Sequence, residues 1–420
     1  MINKKRFYSF SPYNLVKSFV SEKKFSLLLL GTITSQVINI VLSPILSRIY
    51  SPLSFGDFAY FQSWVSIIGT LLFLRMEMSI MTWTYKHRRQ EIISFLLTVS
   101  VLLTLLSVFI FIGQSKSLLW IALSFINTFF IGINNLFYLI ALKDGRANTC
   151  SYSRIGRSVI FNSSCLLIGY LLGNNGFYII VGHTPSLIIE NIILIKDEFR
   201  TLLNYRFLNL LKIKFYLRKN SNFIKWNMPN VALDLANDFG YMLLISHLFG
   251  KEIMGAFAMM YRIIKLPSSF IGSALYQYSF SQAATQKGNV SKIVLKNYLF
   301  TFMIGLPFFL CIFIWGQDLF ILFFGKMWKD AGTIAEIFAI AYFLNFLISS
   351  SSFVTILYNK MNIGFFLTLI DVILKIVCLF IGNYYHNWIL AFILSSIEQC
   401  IIYICALIIY LNLSRNEVSK

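Results

Sequence analysis

The chain has 420 residues, of which 57% are hydrophobic and 13% are charged, and its mean hydropathy is +0.72. Soluble globular proteins carry about 25% charged residues, so the composition excludes a soluble fold, and it equally excludes disordered, collagen-like and disulfide-stapled chains. The formal net charge of +19 is interpreted as a topology signal rather than a nucleic-acid-binding surface, because positive charge accumulates in the cytoplasmic loops of membrane proteins.

Twelve apolar runs, each close to the ~20 residues that a helix needs to cross a bilayer, predict an all-α polytopic membrane protein. The predicted spans are 25–46, 58–82, 92–112, 117–142, 154–173, 177–195, 229–249, 254–283, 293–315, 332–357, 362–382 and 388–411.

The lysines and arginines are distributed unevenly between the connections. Of the 36, 27 lie on the side of the N-terminus, five on the opposite side and four inside spans. This tally assigns Arg154 and Arg157 to a polar connection at 143–157. Because cytoplasmic loops are enriched in Lys and Arg, the distribution predicts that both termini are cytoplasmic and supports an even number of spans.

The longest and most basic connection, 196–228, divides the chain into two predicted bundles of six helices, at 1–195 and 229–420. The two halves resemble each other at an offset of 199 residues, with Gly56 matching Gly255 and Phe58 matching Phe257. Such a repeat predicts two bundles around a central cavity, which is the alternating-access architecture of secondary transporters.

The sequence contains no metal-binding or nucleotide-binding motif. The six cysteines form no C-x-x-C pair, the four histidines stand alone, and no G-x-x-x-x-G-K-[ST] phosphate-binding loop is present. We therefore expect no metal, no cofactor and no enzymatic activity.

Two segments resemble a known family. The segment Leu46–Phe61, LSRIYSPLSFGDFAYF, followed by LRME at 74–77, is similar to the R-x-[YF]-[ST]-P-x-x-[FY]-G-x-[FY] turn and L-R-x-E of Wzx-type oligosaccharide flippases. Within the eighth span, the segment 261–277 resembles the R-x-x-x-x-P-x-x-x-I-G-x-A stretch of the same family. These flippases belong to the multidrug/oligosaccharidyl-lipid/polysaccharide (MOP) exporter superfamily.

The resemblance implies a specific transport function. It implies translocation of an undecaprenyl-pyrophosphate-linked O-antigen repeat unit from the inner to the outer leaflet of the bacterial inner membrane, within lipopolysaccharide or capsule biosynthesis. The implied partners are the lipid-linked oligosaccharide and membrane lipids, together with the polysaccharide polymerase and chain-length regulator of the pathway. No nucleic-acid partner is expected.

Ionisable side chains inside spans are costly and usually face a cavity or a partner. Arg75 and Glu77 lie near the end of span two, where they are either an interfacial pair or part of the cavity mouth. Asp371 and Lys375 are four residues apart on span eleven, which favours a self-satisfied pair.

Spans seven and eight carry opposite charges. Asp234 and Asp238 share a face of span seven, and Arg262 and Lys265 share a face of span eight. Either these groups neutralise one another, or Arg262 and Lys265 contact the pyrophosphate and an aspartate releases them.

Two further acids, Glu190 and Glu398, have no obvious partner in the sequence, and we consider them as charge partners or as coupling-ion ligands. Altogether the spans hold four bases and seven acids, so the sequence does not predict a net cationic cavity.

Two alternatives to the flippase stay open. A multidrug or organic-cation exporter of the same superfamily suits the seven intramembrane acids, but not the turn motif. A polysaccharide polymerase is disfavoured because the longest predicted outer connection is short, at 316–331, whereas the long connection is cytoplasmic.

Overall fold

The computed structural model describes residues 23–74, 76–78, 89–112, 117–198, 214, 218, 221–285, 290–358 and 360–416. Over this part of the chain the fold is built from helices, which form twelve successive runs. In chain order they are α1 (Lys23–Ile49), α2 (Pro52–Leu71), α3 (Arg89–Ile112), α4 (Leu118–Lys143), α5 (Ala147–Leu172), α6 (Gly176–Ile195), α7 (Ser221–Leu235, a π-helical turn Ala236–Gly240, and Tyr241–Phe249), α8 (Lys251–Ile264, a π-helical turn Ser268–Gly272, and Ser273–Thr285), α9 (Val290–Phe324), α10 (Lys329–Ser349 and Phe353–Leu357), α11 (Met361–Tyr384) and α12 (Trp388–Asn416).

Within the described residues, eight helices have the length and apolar composition needed to cross a membrane: α1, α4, α5, α6, α9, α10, α11 and α12. The runs α7 and α8 are interrupted by π-helical turns, and both carry charged side chains. The structure confirms the predicted fold class, an all-helical multi-pass membrane protein.

The helices pack as two bundles. In the first, α1 packs on α5, α5 on α6, and α4 on both α2 and α6; in the second, α9 packs on α10, α12 on α10 and α11, and α8 on α7 and α10. The predicted linker 196–228 lies mostly outside the described residues, so the exact bundle boundaries stay a prediction.

Several predicted helix boundaries are wrong, among them those of spans two and nine. Span two was predicted at 58–82, but α2 begins at Pro52, because the Ser51 hydroxyl accepts a hydrogen bond from the Ser54 amide and Pro52 occupies the first helical position. Span nine was predicted to end at 315, but α9 continues through a kink at Trp315 to Phe324. Much of the expected outer connection 316–331 is therefore helical.

The fifth span was also misplaced, because α5 begins at Ala147 instead of residue 154. Gly145, at a φ of +70°, ends α4 in a tight turn, and α5 starts two residues later. This places Arg154 and Arg157 inside a helix rather than in a connection. Residues 143–157 were assigned to a connection because hydropathy assumes that a spanning helix is surrounded by lipid. One face of α5 instead lines the polar cavity described below.

The two bundles meet where α2 and α8 cross. A Cβ atom added to Gly56 would lie 1.8 Å from the Lys251 carbonyl oxygen, and one added to Gly255 would lie 1.9 Å from the Pro52 carbonyl oxygen. Only glycine allows backbones to approach this closely. The two glycines that match in the internal repeat are therefore the point where the backbones of the two halves come closest at this crossing.

Aromatic and polar contacts surround this crossing, on the side of the molecule where α1 turns into α2, called here the turn side. The Trp328 indole donates a hydrogen bond to the Ser47 carbonyl at 3.0 Å and stacks edge-on against Phe55, with ring centroids 5.1 Å apart. The Lys251 ammonium pairs with the Asp57 carboxylate at 2.5 Å. The bundles are thus joined on the turn side, opposite the side where α1 begins.

We expect Gly56→Ala to lower the free energy of unfolding by about 1–3 kcal/mol, the usual cost of overpacking. The matched control is Gly364→Ala on α11, where no atom lies within 4 Å of the added Cβ; it should be neutral or stabilise by up to ~1 kcal/mol through helix propensity. Thermal unfolding of both variants in detergent, followed by tryptophan fluorescence, checks this. Equal unfolding temperatures for the two variants would contradict the crossing described above.

Candidate functional site

A cavity of about 700 Å³ lies beyond the α2–α8 crossing and is lined almost entirely by the first bundle. Its wall comes mainly from α1, α2, α4, α5 and α6, and Arg262 of α8 enters it from the second bundle. The volume falls within the range of ~300–1,000 Å³ typical of small-molecule sites. The internal repeat predicts a central cavity with both bundles around it, whereas the second bundle contributes Arg262 alone to the lining of this one.

Polar residues reach this cavity because they share helix faces. On α5, Arg154, Arg157, Ser158 and Phe161 follow the i, i+3, i+4, i+7 spacing of one face. On α1, Thr32, Ser35, Gln36 and Asn39 follow the same spacing. Each helix thus presents a polar stripe to the cavity.

The α5 arginines have different partners. Arg157 forms an ion pair with Glu190 at 3.0 Å, and the Glu190 side chain is only 5% exposed. Arg154 donates a hydrogen bond to the Thr32 hydroxyl, and its guanidinium lies 4.7 Å from the centre of the Tyr138 ring. Glu190 therefore has the charge partner that the sequence did not reveal, whereas no carboxylate among the described residues pairs with Arg154.

Arg262 extends from α8 into the cavity and is partly buried. Over the described part of the chain, its guanidinium forms no ion pair or hydrogen bond. It is therefore a cation whose five N–H donors are available to a ligand.

The segment after α2 supplies the second cavity acid. Glu77 lies in the short 3₁₀ turn Met76–Met78, is 1% exposed and lines the cavity. Arg75, its predicted neighbour, lies outside the described residues. Among the described lining residues, three arginines thus stand against two glutamates, so the cavity is more cationic than the span composition suggested.

The charges at the α7–α8 contact are arranged differently from those of the cavity. Lys265 pairs with Asp238 at 3.5 Å, and the Tyr261 hydroxyl donates to the same carboxylate at 2.6 Å. Both charged side chains are about 40% exposed, at 41% and 43%. Asp234 is exposed on the first part of α7. The sequence left open whether the charges of spans seven and eight neutralise one another or contact the substrate. Lys265 and Asp238 neutralise each other, whereas Arg262 pairs with neither described aspartate of α7.

A second ionic cluster lies inside the second bundle. The Lys375 ammonium donates hydrogen bonds to the Asp371 carboxylate at 2.8 Å and to the side-chain amide oxygen of Asn237 at 2.6 Å. The amide nitrogen of Asn237 in turn donates to Asp371 at 2.7 Å. The pair is the i, i+4 contact that the sequence favoured, and it is almost fully buried. Glu398 is 7% exposed, and neither of its carboxylate oxygens has a hydrogen-bond partner in the described structure.

A smaller cavity of about 300 Å³ opens between α1 and α8. It shares Thr32, Tyr138 and Arg154 with the main cavity. Its other residues are mostly apolar or hydroxylated, from α1, α4 and the second half of α8: Leu28, Ile33, Leu142, Ser269, Phe270, Ser273 and Gln277. This cavity, called here the lateral cleft, adjoins the main cavity at Arg154, and its α8 residues Ser269, Ser273 and Gln277 are exposed.

Several lining residues were not singled out from the sequence, namely the α5 arginines and the amide side chains of α1, α2 and α4. The available signal was the i, i+3, i+4, i+7 spacing of polar residues at 154–161 and 32–39. No group of three or more metal-binding side chains is found in the described ranges.

No family model and no curated protein matches the sequence. Among solved structures, the lipid II flippase MurJ in an inward closed conformation is similar, with a TM-score of 0.72, 14% identity, and coverage of 94% of this chain and 91% of that one. A MOP superfamily transporter from Pyrococcus furiosus has a TM-score of 0.58, 13% identity, and coverage of 94% and 95%.

The MATE transporter VcmN of Vibrio cholerae is also similar, with a TM-score of 0.59, 12% identity, and coverage of 97% of this chain and 99% of that one. The likeness extends over nearly the whole length of each chain. At these identities it shows the fold alone: the chain has the fold of the MOP superfamily transporters.

Proposed function

We propose that the protein is a flippase that moves an undecaprenyl-pyrophosphate-linked oligosaccharide, an O-antigen repeat unit, from the inner to the outer leaflet of the bacterial inner membrane by alternating access. The observation that carries this proposal is the polar, arginine-containing cavity joined to a lateral cleft. A lipid-linked sugar needs both features, because its headgroup is polar and anionic while its chain is apolar.

The arginines match the anionic part of such a substrate. A guanidinium can donate two parallel hydrogen bonds to one phosphate group, and such charge-assisted bonds are stronger than neutral ones. Arg154 and Arg262 have no carboxylate partner among the described residues, and Arg157 shares its charge with Glu190. We assign the diphosphate to these three side chains, and Lys265, paired with Asp238, to a supporting role.

The lateral cleft matches the lipid part. Because it borders Arg154 on one side and apolar residues such as Leu28 and Phe270 on the other, a diphosphate could bind at the arginine while its chain stays between α1 and α8. A soluble cargo has no need of such a passage.

The charge pattern disfavours the alternative, an organic-cation exporter, although MATE transporters share the fold. A cation site needs acids that are not neutralised, and three of the seven intramembrane acids, Glu190, Asp238 and Asp371, each pair with a base. Glu398 stays our candidate for a coupling-ion ligand, since it is buried near the Asp371–Lys375 pair without a hydrogen-bond partner among the described residues. The polymerase and the chain-length regulator stay proposed partners, and both termini are proposed to be cytoplasmic.

The first test concerns Arg262. We expect Arg262→Ala to reduce flipping of a fluorescent prenyl-diphosphate-linked sugar in proteoliposomes about tenfold or more, which is the loss expected for hydrogen bonds to a charged group. Arg262→Lys keeps the charge but not the bidentate geometry, so its loss should be intermediate. The matched control is Lys265→Ala, three residues along α8, where a small effect is expected.

Asp238→Asn tests whether Arg262 binds the substrate or neutralises an aspartate. Asp238 contacts Lys265 and Tyr261 rather than Arg262. Asp238→Asn should therefore not restore flipping or protein level to Arg262→Ala. Restoration by the double variant would mean that Arg262 serves the structure and not the substrate.

The second test concerns the lateral cleft. Ser273 is exposed on α8 within the cleft, and its hydroxyl donates to the backbone of its own helix. We expect Ser273→Trp to fill the cleft and slow flipping of the lipid-linked probe severalfold. The matched control is Ser163→Trp, because Ser163 is also exposed, on α5, with the same kind of backbone hydrogen bond, but lies outside both cavities.

Ethidium efflux, measured on the same variants, tests the alternative function. A wild-type protein that exports ethidium but does not flip the lipid-linked probe, with Ser273→Trp leaving efflux unchanged, would favour the organic-cation exporter.

A further inference from the structure

The cavity has a neutral wall as well as a charged one. Amide side chains enter it from three helices: Gln36 and Asn39 from α1, Gln62 from α2, and Asn134 and Asn135 from α4. We call these five residues the amide wall. The arginines enter from α5 and α8, so the two kinds of side chain lie on different helices.

Most of the amide wall has unused hydrogen-bonding capacity. Over the described residues, the side chains of Gln36, Asn134 and Asn135 make no hydrogen bond, and the Asn134 amide nitrogen is buried without a partner. Gln62 donates to Ser66 at 2.9 Å, but its buried carbonyl oxygen accepts nothing. Asn39 is the exception, because it exchanges hydrogen bonds with α5.

Amides elsewhere in the first bundle are different. The side-chain nitrogens of Asn127, Asn162 and Asn191 each donate two hydrogen bonds to neighbouring helical groups. These three asparagines tie helices together. The buried carbonyl oxygens of Asn162 and Asn191 accept no hydrogen bond, like that of Gln62. Among the described buried or half-buried amides of the first bundle, the ones that make no hydrogen bond at all, Gln36, Asn134 and Asn135, therefore line the cavity, where a ligand can satisfy them.

The chemistry of this wall fits hydroxyl-rich ligands. An amide both donates and accepts, as a sugar hydroxyl does, whereas a guanidinium only donates. Two aromatic rings close the end of the cavity nearest the turn side, since Phe58 stacks on Phe161 with centroids 5.9 Å apart and both rings contact His183. Amides along a wall and flat apolar rings at one end together suit the polar edges and apolar faces of a pyranose.

We infer that the amide wall binds the sugar of the substrate and determines which sugar is accepted, while the arginines bind the diphosphate irrespective of the sugar. This inference rests on the proposed function, since it divides one cavity between two parts of one substrate. A site that hydrogen-bonds a hydroxyl discriminates strongly against ligands that lack it, because its own polar groups are then left unpaired.

The test compares two probes on the purified full-length protein in nanodiscs: a prenyl diphosphate without sugar, and the same lipid carrying one N-acetylhexosamine. The wild-type protein should bind the sugar-bearing lipid more tightly. Asn134→Leu and Asn135→Leu should each reduce this preference about three- to tenfold, the range expected for one lost hydrogen bond, with affinity for the bare diphosphate unchanged.

Two control variants distinguish sugar binding by the amide wall from diphosphate binding by the arginines. Gln317→Leu removes an amide from α9, outside the cavity, and should leave both affinities unchanged. Arg157→Gln should lower both affinities by the same factor, because both probes carry the diphosphate. Monodispersity in size-exclusion chromatography shows that each variant is folded.

The possible failures are distinguishable. If the wild-type protein binds both probes equally, or if the leucine variants weaken both probes alike, the sugar assignment is overturned while the proposed flippase stands. If the wild-type protein binds neither probe, the proposed function itself fails.

Discussion

The close approach of α2 and α8 at Gly56 and Gly255 is the constraint on which the remaining architecture depends. Because each glycine faces a backbone carbonyl of the other helix, the bundles touch through main chain, and no side chain can separate them at that level. This contact brings Trp328 against Ser47 and Phe55 and leaves the space beyond it as a cavity. An inward-facing polar stripe on α5 or α1 is tolerable only because that space exists.

Burial and pairing together decide what each intramembrane charge can do. A buried ion pair such as Asp371–Lys375 leaves no net charge, and removing one partner of such a pair is strongly destabilising, so this cluster is best understood as a structural element of the second bundle. Arg154 and Arg262 have no such partner among the described carboxylates. Charges that cost several kcal/mol in lipid are retained where a polar cavity and an anionic ligand can compensate them.

The division of the cavity into an arginine wall and an amide wall follows from helix geometry. Residues at i, i+3, i+4 and i+7 share a face, so α5 contributes Arg154 and Arg157 to one wall and α1 contributes Gln36 and Asn39 to the other. In the proposed function, the lipid would lie at the lateral cleft, the diphosphate at the arginines and the sugar at the amide wall. Recognition of such a substrate is then distributed along the cavity instead of being confined to one residue.

The sequence by itself determined the membrane class, the twelve helical runs and the matched glycines, because hydrophobic length and internal repetition are local properties of a chain. It also determined the Asp371–Lys375 pair, since residues four apart on a helix are neighbours in any fold. Only the tertiary structure decided that Arg154 and Arg157 line a cavity, that Glu190 neutralises one of them, and that Lys265 rather than Arg262 pairs with Asp238. The two ion pairs join different helices, whose relative rotation is set by packing and not by the sequence of either helix. Hydropathy also cannot tell a polar residue in a loop from one that faces a cavity.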